Sequence, residues 1–325
     1  MNQRPPAAPS LARDKGTDFS AALIPGPWTH RFISANGSRF HVAMAGPTGH
    51  EAPLVILLHG FLEFWWQWRY QLSALGEAGY RVVAMDLRGH AASDKPPEGN
   101  DLPTLTRDVA AVIASLGAAK AHVIGSGLGG IVGWTMAALE PRSLASLVVV
   151  GAPHPAQLWR PSLLVSPRAF AQMALLRAPV VAERALLSGT LVGSLLSTWS
   201  AVEGPSRATV RTYREMMRIP YVAAKSVDQM RWLLGTYRWR RPRRRLMRRF
   251  DGAESPVPVL HLHGAEDGLL RTASIAAPRY GGADYHLRVL QHVGHFPEEE
   301  APEVVTEALL KWLGGIERPG AAAED

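Results

Sequence analysis

Short runs of consecutive apolar residues at 53–58, 81–85, 121–124 and 147–150 read as strands buried on both faces, the pattern of a parallel sheet. Between them, residues 102–116 place Leu105, Val109, Val112, Ile113 and Leu116 at helical spacing, closed by Gly117. Ahead of these, residues 27–33 and 38–44 alternate around Asn36-Gly37, a strong hairpin signal, and predict an antiparallel opening pair. Strands alternating with helices in this way predict a doubly wound α/β sheet.

The pattern changes near His154. From there to Asp251 the apolar positions follow helical spacing, Met and Trp recur, and buried-strand runs are absent. Residues 258–263 then restore a strand, and 288–290 predict another. The economical layout is one sheet interrupted by a helical cap: a loose tail over 1–25, a first core part over 26–153, a cap over 154–251, a second core part over 252–316 and a tail over 317–325.

Composition narrows the class. At 325 residues and 47% hydrophobic the chain can bury a large core. With no cysteine it holds no disulfide, thiolate nucleophile or cysteine-ligated metal. The first 20 residues lack an apolar signal core, and the longest apolar stretch, 170–196, is broken by Arg177, Pro179, Glu183 and Arg184. A cytoplasmic protein without a membrane span is therefore expected, and 170–196 reads as amphipathic helices. The net charge of +7 is concentrated in the arginine-rich run 238–249. With no nucleic-acid-binding module beside it, that run reads as a solvated face and no nucleic-acid partner is expected.

The run Val123-Ile124-Gly125-Ser126-Gly127-Leu128-Gly129-Gly130 carries the most chemistry. Gly125, Gly127 and Gly130 spell a dinucleotide-binding fingerprint, but the next strand ends in Gly151-Ala152-Pro153-His154-Pro155 and lacks the acid that would hold a ribose. The same letters form the frame of a nucleophile elbow, Gly-x-Nuc-x-Gly, with Gly127 in the nucleophile's place. Glycine adopts the elbow's positive φ without strain and removes its reactive atom. Ser126 stands one residue early and is expected to face another way.

Four motifs in order resemble the α/β-hydrolase superfamily, and within it the cap-bearing epoxide-hydrolase and haloalkane-dehalogenase branch. They are the elbow, His59-Gly60-Phe61-Leu62-Glu63, Asp86-Leu87-Arg88-Gly89-His90 with Ser93-Asp94-Lys95-Pro96, and Gly294-His295-Phe296-Pro297. The resemblance implies an oxyanion hole from the amides of Phe61 and Leu128, a general base at His295 in preference to His292, and an orienting carboxylate at Asp267 in preference to Glu266. It implies that the cap tyrosine Tyr237 protonates or holds an epoxide oxygen, with Tyr213 or Tyr221 as its partner. His59, His90 and Asp86 are expected to lock loops by hydrogen bonding. Trp65, with its neighbours Phe61, Phe64, Trp66 and Trp68, is a candidate pocket wall or simple packing.

Three positions depart from the branch: Gly127 for its aspartate, Leu128 for the dehalogenases' halide-binding tryptophan with Phe61 for their asparagine, and Leu62 for the loop proline. Dehalogenation is not expected. One expected function is hydrolysis of a small apolar epoxide, lactone or ester by water activated through Asp267 and His295, with no cofactor and no metal. The alternatives are a non-catalytic small-molecule binder and an ordinary hydrolase whose nucleophile was replaced by design.

Overall fold

The computed structural model describes residues 17–158, 161–201, 204–235, 240–250 and 254–317. Eight strands form one sheet: β1 (Thr29–Ala35), β2 (Ser38–Ala45), β3 (Leu54–Leu58), β4 (Arg81–Met85), β5 (Ala121–Ser126), β6 (Leu144–Val150), β7 (Val259–Gly264) and β8 (Tyr285–Leu290). Their order is β1-β2-β4-β3-β5-β6-β7-β8, with β1, β2 and β4 joined antiparallel and every later pairing parallel. The hairpin turns at Asn36 and Gly37, both at positive φ (43° and 71°), as a two-residue hairpin loop demands.

On the first half of the sheet lie α1 (Arg69–Glu77), α2 (Leu102–Ser115) and α3 (Leu128–Leu139). Asp101 caps α2 by accepting from the Thr104 amide, and Leu105, Val109, Val112 and Ile113 are its buried stripe. Between β6 and β7 the described chain forms helices and 3-10 turns: α4 (Pro167–Leu175), α5 (Pro179–Leu187), α6 (Thr190–Trp199), α7 (Arg207–Met217), α8 (Val222–Leu233) and α9 (Arg240–Met247). The stretch 170–196 thus divides among α4, α5 and α6. No single described helix is long and apolar enough to cross a membrane. After β7 come α10 (Thr272–Ile275), α11 (Pro278–Gly281), α12 (Pro297–Glu300) and α13 (Pro302–Glu317).

Strands β3, β4, β5 and β7 are wholly buried and β6 is buried except at Ala145, and their C-terminal ends carry the loops that end in Phe61, Gly127, Gly151 and Asp267. In open parallel sheets ligands bind in the crevice at those ends.

Candidate functional site

The turn from β5 into α3 is tight because its neighbours have no side chains. A Cβ on Gly129 would stand 2.3 Å from the Leu58 carbonyl oxygen, so only glycine lets α3 start against β3. Gly127 itself has φ 48° and ψ −112°. It is held on both sides, its amide donating to the Val150 carbonyl at 3.0 Å and its carbonyl accepting from the Ile131 amide at 3.1 Å. A Cβ there would meet only the Gly60 Cα, at 3.4 Å. The space is open; the backbone conformation is what disfavours a side chain.

Asp267 lies in the loop after β7 and His295 in the loop after β8. The His295 Nδ1 is 2.8 Å from Asp267 Oδ2. The other Asp267 oxygen accepts from the amides of Leu269 and Leu270, both at 2.8 Å, so the carboxylate cannot swing away without losing two bonds. The Trp199 carbonyl accepts the amides of Gly268 and His295, both at 3.0 Å, which ties α6 to the two loops. Both side chains are buried. Burial works to lower the His295 pKa, but the charge and hydrogen bond of Asp267, aided by Glu298 and Glu300, hold it above the ordinary imidazole value.

His295 and Gly127 line one cavity of about 300 Å³ beneath the helical insertion. Phe61, Leu128, Ile131, Met173, Trp199 and Leu233 are among its apolar walls, and His295 and Arg177 are its charged or titratable lining groups among the described residues. Trp199 sets its ring edge-on to His295, with centroids 5.3 Å apart. Phe61 and Leu128 line this space, and their amides donate to no acceptor among the described residues. Such a site excludes water from its walls and offers donors and one imidazole at its floor.

Ser126 faces elsewhere. Its hydroxyl donates to Glu298 Oε1 at 2.8 Å, the oxygen that also accepts from Gln67 Nε2 at 2.5 Å. Glu298 is fully buried beside Glu63, and one oxygen of each, Glu298 Oε2 and Glu63 Oε1, lacks a partner among the described residues. Burial, with the charge of Glu299 adding to it, pushes Glu298 up to about 7 despite the opposing Ser126 hydroxyl and His295. Glu63 is raised by burial and by Glu298.

A carboxyl whose folded pKa is raised contributes full stability below its unfolded pKa and loses it as pH rises through the folded value. Glu298→Gln keeps an oxygen for Ser126 and Gln67 and removes that titration. The variant's melting temperature is therefore expected to gain on the parent's between pH 5 and 8, by the equivalent of on the order of 3 kcal/mol. Differential scanning fluorimetry at stepped pH checks this, and two curves of the same shape would show that Glu298 does not titrate there.

Other predicted residues are placed differently. Tyr237 lies outside the described residues. Tyr213 is absent from the cavity wall: it is buried between Phe64 and Trp66, and its hydroxyl donates to the Glu299 carboxylate, which also takes the Arg69 guanidinium fork at 2.7 Å on each oxygen. Tyr221 is 72% exposed at the start of α8, with φ 69°. Trp65 packs away from the cavity, against Trp28 and the His30 and His41 rings, and its indole donates to the Ala22 carbonyl at 2.7 Å. The 3-10 turn at Trp65–Trp68 carries these aromatics past the crevice into the core. His292 is at the surface with Glu266, 3.1 Å away.

His59, Asp86 and His90 hold loops together. His59 Nδ1 lies 2.8 Å from the Gly60 carbonyl oxygen while its Nε2 accepts from the Leu87 amide. Asp86 accepts from the amides of Trp65 and Ala92 and pairs with His41, and His90 bonds Gln229 of α8. The buried carboxylates Glu63 and Glu298 went unread in the sequence, as did the walls supplied by Met173 and Trp199.

A family model described as the alpha/beta hydrolase fold matches residues 53–302. The AB hydrolase superfamily protein YfhM of Bacillus subtilis is 31% identical over 87% of this chain and 97% of its own length. Epoxide hydrolase B of Mycobacterium tuberculosis is 42% identical over 38% of this chain, which is 35% of that protein. A haloalkane dehalogenase DbeA-M1 loop variant from Bradyrhizobium elkanii superposes with a TM-score of 0.76 at 21% identity, covering 89% of this chain and 97% of that one, a likeness of fold alone. With this match over residues 53–302, a relative aligned over nearly its whole length and the mostly parallel eight-stranded sheet, the chain belongs to the α/β-hydrolase fold family, with epoxide hydrolases among its relatives.

Proposed function

We propose that the protein hydrolyses a small apolar epoxide, lactone or ester, with His295 activating a water that sits over Gly127. The observation that carries this reading is the 2.8 Å contact of His295 with Asp267 at the floor of an apolar cavity that Gly127 also lines. The His295 Nε2 takes a proton from the water as its oxygen attacks the electrophilic carbon, and Asp267 stabilises the imidazolium that forms. The amides of Phe61 and Leu128 donate to the oxygen on which charge develops. In an epoxide the carbon–oxygen bond then breaks, and the alkoxide takes its proton from an acid, for which Tyr237 is the candidate, or from the imidazolium.

The names of the relatives favour an epoxide among the three. In a well-studied hydrolase, loss of the nucleophile cost about 10⁶ in rate, yet oxyanion stabilisation and binding left roughly 10³–10⁴ over water. Hydrolysis without a covalent intermediate is thus physically available, at low rate.

Single-turnover hydrolysis in heavy-oxygen water tests the reading. With enzyme in excess, the first product formed is expected to carry the solvent's oxygen, no enzyme adduct should be seen by intact-mass analysis, and His295→Ala should abolish product. A first turnover delivering unlabelled oxygen would mean that a protein side chain attacks. Tight binding of epoxides with no turnover would leave the protein a small-molecule binder.

A further inference from the structure

Eleven large apolar side chains are exposed among the described residues, and five of them fall between 165 and 187: Val165, Phe170, Val180, Val181 and Leu187. Phe170, Val180 and Val181 are 63%, 58% and 56% exposed. The spacing of Val180, Val181, Arg184 and Leu187 puts them on one face of α5, opposite the buried Ala182 and Leu186. A tight turn, in which the Arg177 and Ala178 amides donate to the carbonyls of Ala174 and Leu175, joins α4 directly to α5. The sixth exposed residue of this region, Tyr221, begins α8, which packs on α5, and Arg218 just before it donates to the Leu187 carbonyl at 3.4 Å. Exposed apolar side chains gathered on successive helices in this way mark a contact surface.

Two further observations say what covers it. Arg168, Arg177 and Arg184 are exposed within the same segment and form no ion pair among the described residues, while Glu183 is the segment's one acid. Apolar side chains interspersed with arginines, whose stems pack in the acyl boundary and whose guanidinium groups meet headgroups, fit an anionic lipid surface. Phe170 and Arg177 also line the cavity, so the α4 end of the face borders it. Together α5 and α6 are apolar enough for a bent span, but they meet at 89°, and α6 turns Leu191, Val192, Leu195, Leu196 and Trp199 into the core. That leaves α5 to lie on a membrane.

We propose that the α4–α5 face docks on an anionic lipid surface and seats the mouth of the cavity against it. Apolar substrate then enters from the lipid rather than from water. Docking stands apart from the hydrolysis proposed above and is read by binding alone.

The test is cosedimentation of the full chain with vesicles of phosphatidylglycerol and phosphatidylcholine mixed, and of phosphatidylcholine alone. The parent is expected to bind the mixed vesicles, at least tenfold more weakly without the anionic lipid, and more weakly as salt rises, since each basic residue near such a surface contributes about fivefold in affinity. The double variant V180E/V181E should lose at least tenfold in binding while keeping its melting temperature. R168Q/R184Q should lose most of the salt dependence. A parent that stays in the supernatant would overturn docking. So would a V180E/V181E protein that binds as the parent does while removal of Arg244, Arg245, Arg248 and Arg249 releases it. Self-association broken by V180E/V181E, with no vesicle binding, would assign the face to a second copy of the chain.

Discussion

Gly127→Asp is expected to raise epoxide hydrolysis at least 100-fold over the parent. The elbow fixes direction whatever residue occupies it, and a Cβ at 127 meets nothing nearer than the Gly60 Cα at 3.4 Å. A carboxylate there stands over the cavity that His295 lines, beside the amides of Phe61 and Leu128. It attacks the epoxide carbon directly, and His295 then activates water against the resulting ester. The strain of a non-glycine residue at φ 48° costs about 1–3 kcal/mol, so the melting temperature should drop by several degrees without loss of fold. Steady-state rates on aryl epoxides and intact-mass detection of the ester check the outcome. A folded variant that stays silent across epoxides, lactones and aryl esters would favour the binder.

That such a variant can be specified reflects what the sequence exposes. β4 was legible almost to the residue because it is a continuous buried run, α2 because it buries a regular stripe, and Asn36-Gly37 because few pairs accept two positive φ values in succession. β8 was read only at its end. It is an edge strand whose Tyr285, His286, Leu287 and Arg288 are exposed or half-buried, so no apolar run announces it. The pairing of His295 with Asp267 was legible because each sits in a loop at the end of a strand, where the order of the motifs brings the two loops together.

The misplacements share a cause. Trp65 and Tyr213 look like pocket aromatics in sequence, but the 3-10 turn and Glu299 draw them into a second buried layer behind the cavity. Glu298 begins a run of three glutamates at the start of α12, which reads as a solvated first turn favoured by the helix dipole. Its partners Gln67 and Ser126 are 231 and 172 residues away along the chain, beyond the reach of any local pattern. Ser126 shows the same limit from the other side: the sequence predicts that it faces away from the cavity, and only the fold shows that Glu298 receives it.

The second large effect belongs to Asp267→Asn. Asparagine can keep the Leu269 and Leu270 amides on its oxygen, so the loop should hold, but its other end then presents an N–H to His295 Nδ1. The imidazole must either flip its tautomer or lose the bond, and in either case Nε2 is no longer a held base. A change of this kind in a serine protease cost about 10⁴ in kcat, so a loss of 10²–10⁴ in kcat/KM is expected, in the parent and in the Gly127→Asp background alike. The pH profile separates this from simple damage. Because His295 titrates above the ordinary imidazole value, the parent's kcat/KM should rise with pH through a midpoint above about 6.5. Removing the Asp267 charge lets burial dominate, and the midpoint should move to lower pH while the plateau falls. In the same variant the stability that protonated His295 contributes below about pH 6.5, and that the parent loses as pH rises through the raised value, should disappear. An Asp267→Asn protein with a lowered plateau but an unmoved midpoint would show that Glu298 and Glu300, not Asp267, set the histidine's charge.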